Sequence, residues 1–324
     1  MILNEIRRPI LRELERVETE FQVLLKSNIT LIDKIISHIT TYKGKRLRPI
    51  LLLLCSGLNG EITGHSIKAA TIVELLHTAT LIHDDVVDES DLRRGGPSVN
   101  SIWNNKISIL TGDYLFSSVL RGLSELNNPG MIQVISEVAK RMTQGELLQL
   151  EQGHNYEINE DIYFKLISDK TASLLAATCE LGVITSNVSD RNHIENLNRF
   201  GEFLGIAFQI KDDLLDFTGN EKYLGKPTSK DLIGNTITLP LLYGLNNSNN
   251  HRQAEIMEIF TRGIKEEEVD IVRAFANESG GIEYALKKAE YFTAKALKCL
   301  DVYENSEYKH SLIKLTHFIT KREK

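Results

Sequence analysis

The chain has 324 residues, 42% of them hydrophobic, which is enough for a large buried core. Its 44 acidic residues outnumber its 38 basic residues, and the net charge of −6 argues against a nucleic-acid-binding surface. The three cysteines are widely scattered without zinc or disulfide spacing, which is typical of a protein of the reducing cytoplasm.

Helical periodicity recurs along nearly the whole chain, whereas alternating strand patterns are essentially absent. With only six prolines and no linker or low-complexity segment, the sequence predicts an all-α protein, a single domain over residues 1–324, built as a helical bundle around a central cavity. The charged N-terminal segment lacks the apolar stretch of a signal peptide. The longest apolar run, PILLLLC (49–55), is much shorter than the roughly 20 residues of a membrane span, so we expect none.

The first chemical motif is a basic segment, YKGKRLRP (42–49). Its basic residues are Lys43, Lys45, Arg46 and Arg48. Gly44 precedes them and Pro49 marks the expected start of a buried helix, whose first N–H groups are free to meet an anion. The segment therefore predicts a diphosphate pocket that needs no metal.

Two long apolar helices, predicted over 67–88 and 194–217, end in the same acidic pattern. The first ends in DDVVD (84–88) and the second in DDLLD (212–216). Residues i and i+4 share a helix face, so the first and last aspartates of each motif project together. One such motif is more often a solvated helix end, but two favour carboxylates that face each other across a cavity mouth. Oxygen ligands suit Mg²⁺ bound to a diphosphate, and neither a calcium-hand loop nor a zinc ligand set is present.

Further basic and polar residues follow in chain order. His77 lies two helical turns before Asp84, and it is either a phosphate donor or a core histidine. Arg93 and Arg94 point in different directions, so each is able to serve a different anion, although a basic surface turn is the alternative. Individually weaker candidates are Lys170, Thr171, Gln209 and Lys226.

Six segments together carry a family pattern: GKRLRP (44–49), LLHTATLIHDDVVDESDLRRG (75–95), GELLQL (145–150), DKTASL (169–174), FQIKDDLLDF (208–217) and LGKPTSKDL (224–232). On these segments the chain resembles trans-polyprenyl diphosphate synthases, in particular the long-chain bacterial octaprenyl and heptaprenyl enzymes. The resemblance implies an isoprenoid-synthase-like fold and Mg²⁺-dependent condensation of isopentenyl diphosphate with an allylic diphosphate such as farnesyl diphosphate. It also implies about three Mg²⁺ ions per site, a homodimer, transient membrane contact for product release, and a product used for a quinone side chain.

The resemblance also assigns roles to individual residues. The direct metal ligands are expected to be Asp84, Asp88 and Asp212, supported by Asp85, Asp213 and Asp216. The allylic diphosphate is expected to meet Arg93, Lys170, Thr171, Gln209 and Lys226. Isopentenyl diphosphate is expected to meet Lys45, Arg48, His77 and Arg94. The chain departs from the family at Lys43, where many members have glycine, and at Asn235, where many have lysine.

Product length is expected to depend on the helix before Asp84. Ala79 and Thr80 are small where short-product members tend to carry an aromatic residue, so the tunnel for the growing chain is expected to continue to a deeper stop such as Leu76. Three alternatives stay open: a short-chain farnesyl or geranylgeranyl diphosphate synthase, a terpene cyclase, and a non-catalytic partner subunit of a heteromeric synthase. The basic segment at 42–49 and the arginine pair argue against a cyclase, which binds no second diphosphate.

Overall fold

The part of the chain that the structure describes is built almost entirely from α-helices. The computed structural model describes residues 2–42, 44–155, 159–188, 190–218 and 237–320, with the backbone alone for 153–155. The predicted all-α class is confirmed. Three residues of the sequence analysis lie outside the described ranges: Lys43, Lys226 and Asn235.

The helices follow one another with short connections. The first half contains α1 (Ile2–Arg7), a 3-10 turn (Arg8–Ile10), α2 (Leu11–Leu24), α3 (Thr30–Thr41), α4 (Leu47–Asn59), α5 (Gly64–Val87), strands β1 (Leu92–Arg93) and β2 (Gly96–Pro97), α6 (Val99–Trp103) and α7 (Asn105–Leu126). The second half contains α8 (Pro129–Asn155), α9 (Glu160–Ile167), a π-helical turn (Ser168–Ala172), α10 (Ser173–Ile184), α11 (Arg191–Thr218), α12 (Leu239–Asn247), α13 (Asn250–Thr261), a 3-10 turn (Glu266–Glu268), α14 (Val269–Glu278), α15 (Gly281–Cys299) and α16 (Glu307–Thr320).

Contacts between Cα atoms divide the chain into two compact units. Unit 1 comprises Met1–Ala139, Ala177–Asn198 and Tyr303–Leu312, and unit 2 comprises Lys140–Ala176, Arg199–Val302 and Ile313–Lys324. A single domain over the whole chain stays a prediction. Within the described ranges, no helix has the length and apolarity needed to cross a bilayer.

Helix α5 lies at the centre of unit 1 and packs against α2, α4 and α7. It begins where Thr63 and Ser66 form a reciprocal capping box, which satisfies backbone N–H groups of the first turn. Apolar residues occur on nearly all of its sides, and its middle section is buried all round. The predicted helix 67–88 is confirmed, with its start three residues earlier.

Helix α4 begins at Leu47, two residues before the predicted start at Pro49. Arg46 precedes it with a left-handed backbone (φ 55°) that redirects the chain into the helix. The six residues 50–55 are each at most 1% exposed, which anchors the helix in the core of unit 1. The earlier start places Arg48 inside the first helical turn, where side chains lie close to free backbone N–H groups.

The second predicted central helix is also confirmed, as α11 over Arg191–Thr218. In unit 2 its residues Ile210 and Leu214 pack with Tyr163 of α9 and Ala289 of α15 in one buried cluster.

The surface loop expected over 245–253 is wrong in most of its length. Helix α12 continues to Asn247 and α13 begins at Asn250, because the side chain of Asn249 accepts a hydrogen bond from the Arg252 N–H and starts a new helix. The asparagine-rich composition therefore marked a helix cap rather than a long loop.

Candidate active site

The first aspartate motif occupies the last turn of α5 in unit 1. Asp84 is half-buried and Asp88 is exposed, whereas Asp85 is only 3% exposed. All three carboxylates meet the negative end of the helix dipole, which disfavours further negative charge. This end of α5 is therefore an electrostatic setting that favours a bound cation.

The two arginines lie on a short β-hairpin rather than at the helix end or loop considered from sequence. Strand β1 pairs antiparallel with β2, with Arg93 opposite Gly96. Arg94 and Gly95 form the turn, with φ values of 54° and 79°, as a tight two-residue hairpin requires. Arg93 donates from Nε to Oδ1 of Asp85 at 2.6 Å. The buried carboxylate of the first motif thus fixes the arginine predicted to meet the allylic diphosphate.

A cationic cluster forms where α4, α5 and the hairpin meet in unit 1. It consists of Arg48, His77 and Arg94, which were predicted to hold isopentenyl diphosphate, and the structure brings all three together. Burial and the charge of Arg94 lower the pKa of Arg48 to about 10, although Glu74 opposes the shift. Nε of Arg48 is buried without a hydrogen-bond partner in the described part of the chain. A buried donor in this state is costly unless a ligand supplies the missing acceptor.

Arg94 and Lys45 lie at the edge of this cluster. The guanidinium of Arg94 packs against Gly44, where a Cβ would lie 2.9 Å from Cζ, so glycine leaves room for the arginine. Burial lowers the pKa of Arg94, and the charges of Arg46 and Arg93 add to the shift. Lys45 is exposed, and its carbonyl accepts a hydrogen bond from Nη2 of Arg7 at 2.6 Å. The loop that carries Lys45 is thus tied to α1.

His77 is neutral in the ligand-free protein at pH 7. Burial lowers its pKa well below 6.5, and the charges of Arg48, Arg94 and Arg93 add to the effect. The unfolded chain takes up this proton near pH 6.5 and the folded chain only at lower pH, so stability is lost as the pH falls through this window.

We expect the free energy of unfolding to fall between about pH 6.5 and 5 with a contribution from His77 of up to about 1.4 kcal/mol per pH unit, the slope for one proton. Urea unfolding at several pH values measures it. His77→Gln should remove this contribution, whereas His65→Gln, at an exposed position of the same helix, should keep it. Equal pH slopes in wild type and His77→Gln would contradict the expectation.

The second aspartate motif lies in the last turns of α11 in unit 2. Asp212 is exposed and Asp216 is half-buried, whereas Asp213 is 3% exposed. Asp213 accepts hydrogen bonds from the Tyr163 hydroxyl at 2.7 Å and from Nε2 of Gln209 at 2.8 Å. Both motifs therefore have the same arrangement: the second aspartate is buried and fixed by protein donors, and the first and last are more exposed.

The residues Lys170 and Thr171 lie on the π-helical turn Ser168–Ala172, a type of distortion that is frequent at functional sites. Gly145 of α8 allows the close packing, because a Cβ there would lie 2.7 Å from the Lys170 backbone nitrogen. Thr171 donates to Oε1 of Gln209 at 2.9 Å, which connects the turn to the second aspartate motif. Nζ of Lys170 contacts Glu146 and Gln149 at 2.7 and 2.8 Å.

Tyr163 is a site residue that sequence reasoning missed, since a lone tyrosine in a short amphipathic helix carries no signal of a contact 50 residues away. Glu146 and Gln149 had a signal, because both lie in the segment GELLQL (145–150). Glu74 had a weaker one, as a single carboxylate inside the apolar stretch of α5.

We expect Tyr163→Phe to lower activity about tenfold and to raise the Mg²⁺ concentration needed for half-maximal rate. A hydrogen bond to a charged group contributes about 1.5–3 kcal/mol, and its loss frees one oxygen of a buried carboxylate. Tyr291→Phe, at a tyrosine that is 52% exposed, is the matched control. An unchanged Mg²⁺ dependence in Tyr163→Phe would show that the hydroxyl does not position the aspartates.

The three residues predicted to govern product length lie on α5 before the first motif. Leu76 and Ala79 are 1% and 2% exposed, and Thr80 is half-buried with its hydroxyl bonded to the His77 carbonyl at 3.0 Å. They lie on the same helix as His77 and Asp84, and their role stays a prediction.

Comparison with known proteins shows one family over most of the chain. The family model described as polyprenyl synthetase matches residues 29–279. The all-trans-nonaprenyl-diphosphate synthase (geranyl-diphosphate specific) of Rhodobacter capsulatus is 35% identical over 323 residues, 98% of each chain. The heptaprenyl diphosphate synthase component 2 of Bacillus subtilis is 33% identical over 96% of this chain and 88% of that protein.

A solved structure agrees with these sequence relatives. The polyprenyl synthase of Caulobacter crescentus CB15, crystallised with calcium and isoprenyl diphosphate, superposes with a TM-score of 0.92. It is 31% identical, with 99% of this chain and 98% of that chain covered.

Proposed function

The chain belongs to the polyprenyl synthetase family and is a prenyltransferase, and from this premise we propose that it is a Mg²⁺-dependent long-chain trans-polyprenyl diphosphate synthase. It condenses isopentenyl diphosphate head to tail (1′-4) with an allylic diphosphate such as farnesyl diphosphate. We propose an octaprenyl (C40) or heptaprenyl (C35) product for a quinone side chain. The proposal includes a cytoplasmic homodimer that contacts the membrane transiently to release its product.

One observation carries the substrate assignment: the buried, partnerless Nε of Arg48 within a cluster that also contains His77 and Arg94. Three basic side chains that depress one another's pKa form a site that a diphosphate stabilises. The same unit holds the first aspartate motif, so it supplies both a metal-free anion pocket and a metal-binding helix end. A terpene cyclase has no use for the metal-free pocket.

The metal proposal rests on the chemistry of the donors. Within the described residues, no group of three or more His, Cys, Asp or Glu side chains is arranged to hold a metal by itself. Mg²⁺ uses only one or two carboxylates and takes its other ligands from water and phosphate oxygens. Asp84 with Asp88, and Asp212 with Asp216, provide such carboxylate pairs at two helix ends. When bound, Mg²⁺ neutralises charge on the departing diphosphate.

The chain's own residues position substrates and exclude water. Arg93, fixed by Asp85, and the turn bearing Lys170 and Thr171 hold the allylic diphosphate while its C1–O bond breaks. Arg48 and Arg94 hold isopentenyl diphosphate so that its double bond attacks C1 of the allylic cation. A C–C bond forms, a proton leaves C2 of the isopentenyl unit, and the released diphosphate accepts it. No protein nucleophile is needed.

A second candidate is a component that acts only with another chain, which the name of the B. subtilis relative favours. A short-chain synthase is the enzymatic alternative.

The test is to incubate the purified chain with Mg²⁺, farnesyl diphosphate and labelled isopentenyl diphosphate, and to size the dephosphorylated products by reversed-phase chromatography. We expect C35 to C40 products from the chain alone. C15 or C20 products would favour the short-chain alternative. No product from the chain alone would overturn the proposal of a self-sufficient enzyme, and chelation of Mg²⁺ should abolish the reaction.

A further inference from the structure

Glu74 is a buried carboxylate inside the apolar helix α5, three residues before His77. It is 2% exposed, and its neighbours in sequence, Val73 and Leu75, are fully buried. A carboxylate in such a place is strongly destabilising unless cations and hydrogen-bond donors compensate it. No role in the proposed reaction accounts for it so far.

The direct partner of Glu74 is Arg46, the residue that precedes α4. Nη1 of Arg46 donates to Oε1 of Glu74 at 2.9 Å, and Nε of the same guanidinium donates to Glu18 at 2.8 Å. The guanidinium also lies over the Phe21 ring, 4.8 Å from its centroid. The side chain of Glu18 is 37% exposed, whereas that of Glu74 is 3% exposed. Arg46 is therefore shared between an outer and an inner carboxylate.

The charge of Glu74 also reaches the cationic cluster. It raises the pKa of both Arg48 and Arg94 against the effect of burial. Glu74 therefore stabilises the charged forms of three arginines at once. An anion arriving between Arg48 and Arg94 meets the repulsion of this carboxylate, and the repulsion is little screened in a buried setting.

The proposed reaction gives this repulsion a use. Each condensation joins the allylic chain to C4 of isopentenyl diphosphate, so the elongated product carries the diphosphate that entered with isopentenyl diphosphate. That diphosphate is still in the metal-free pocket when the bond has formed. It must leave the pocket for the allylic site before the next unit binds, so the pocket must not hold it too tightly.

We propose that Glu74 is a built-in counter-anion of the metal-free pocket: it stabilises Arg46, Arg48 and Arg94 while the pocket is empty and weakens diphosphate binding so that the elongated product moves on. Glu74 touches no substrate in this proposal and acts through the arginines. The inference rests on the proposed function, because it assigns the pocket to isopentenyl diphosphate.

The test compares wild type, Glu74→Gln and Glu18→Gln for binding of inorganic pyrophosphate in EDTA, which leaves only metal-free binding to be observed. We expect Glu74→Gln to melt at a lower temperature than wild type without pyrophosphate, but to bind pyrophosphate about tenfold more tightly, as removal of one nearby negative charge predicts. Its melting temperature should therefore rise more on adding pyrophosphate. Glu18→Gln changes the same arginine's outer contact and should bind pyrophosphate as wild type does.

Steady-state kinetics supply a second measurement. Glu74→Gln should lower both KM for isopentenyl diphosphate and kcat for successive condensations, since the pocket fills readily but empties slowly. Should Glu74→Gln fail to fold alone, pyrophosphate should rescue its folding. Failure to fold even with pyrophosphate, or affinity equal to or weaker than wild type, would overturn the inference and leave Glu74 a purely structural residue. Absence of pyrophosphate binding in wild type would instead overturn the assignment of the pocket.

Discussion

Replacement of Asp84 by Asn should lower the rate of condensation by about a hundred- to a thousandfold, the loss expected when one preorganised charge-stabilising group is removed. Asp84 is half-buried in the last turn of α5, where its charge is opposed by the helix dipole. The substitution should therefore leave thermal stability unchanged or raise it slightly. Activity measured against Mg²⁺ concentration, together with a melting curve, separates the loss of a metal ligand from a loss of fold.

Asp91→Asn is the matched control for this experiment, because Asp91 is an exposed aspartate seven residues further along the same segment. It should retain nearly full activity. Wild-type activity in Asp84→Asn, or equal losses in the two variants, would remove Asp84 from the metal site.

Ala79→Phe should shorten the main product from a long chain to a farnesyl- or geranylgeranyl-sized one. Ala79 lies five residues before Asp84 on α5, a rise of about 7.5 Å along the helix. If the growing chain runs beside α5, a phenyl ring at this level blocks it. A series with Gly, Val, Leu and Phe at position 79 should shorten the product as side-chain volume increases.

Product sizing by reversed-phase chromatography checks this expectation, and melting curves show whether the larger side chains are accommodated. Ala79 is 2% exposed, so a phenyl ring packed into a closed core would cost about 1–3 kcal/mol of stability. Unchanged product length with reduced stability would mean that Ala79 packs in the core and that no tunnel passes it.

Helical periodicity was sufficient to predict α5 and α11 and to place both aspartate motifs at their ends, because a 3.6-residue repeat is written in neighbouring residues. The hairpin with Arg93 and Arg94 was not predicted, since its strands have two residues each and no alternating pattern. The contacts of Tyr163 and Glu74 join residues far apart in sequence. Such contacts depend on how helices pack, and residue type alone does not reveal them.

The resemblance assigned roles to residues whose immediate surroundings then became visible. Arg48, His77 and Arg94 came together, as did Thr171 and Gln209 with the second motif. The split between a buried second aspartate and its more exposed neighbours was not evident from sequence, because Asp84 and Asp85 differ only by a rotation of about 100° around the helix.

The π-helical turn at Ser168–Ala172 makes chain length in this stretch a constraint of its own. Deletion of one residue within it would favour an ordinary α-helical turn and rotate everything that follows by about 100° relative to α9. Thr171 would lose Gln209 without being replaced itself. During divergence of such proteins, substitutions in the turn are therefore expected to be tolerated far more readily than single-residue insertions or deletions, and a gap in this stretch should mark a chain that has lost the ancestral activity.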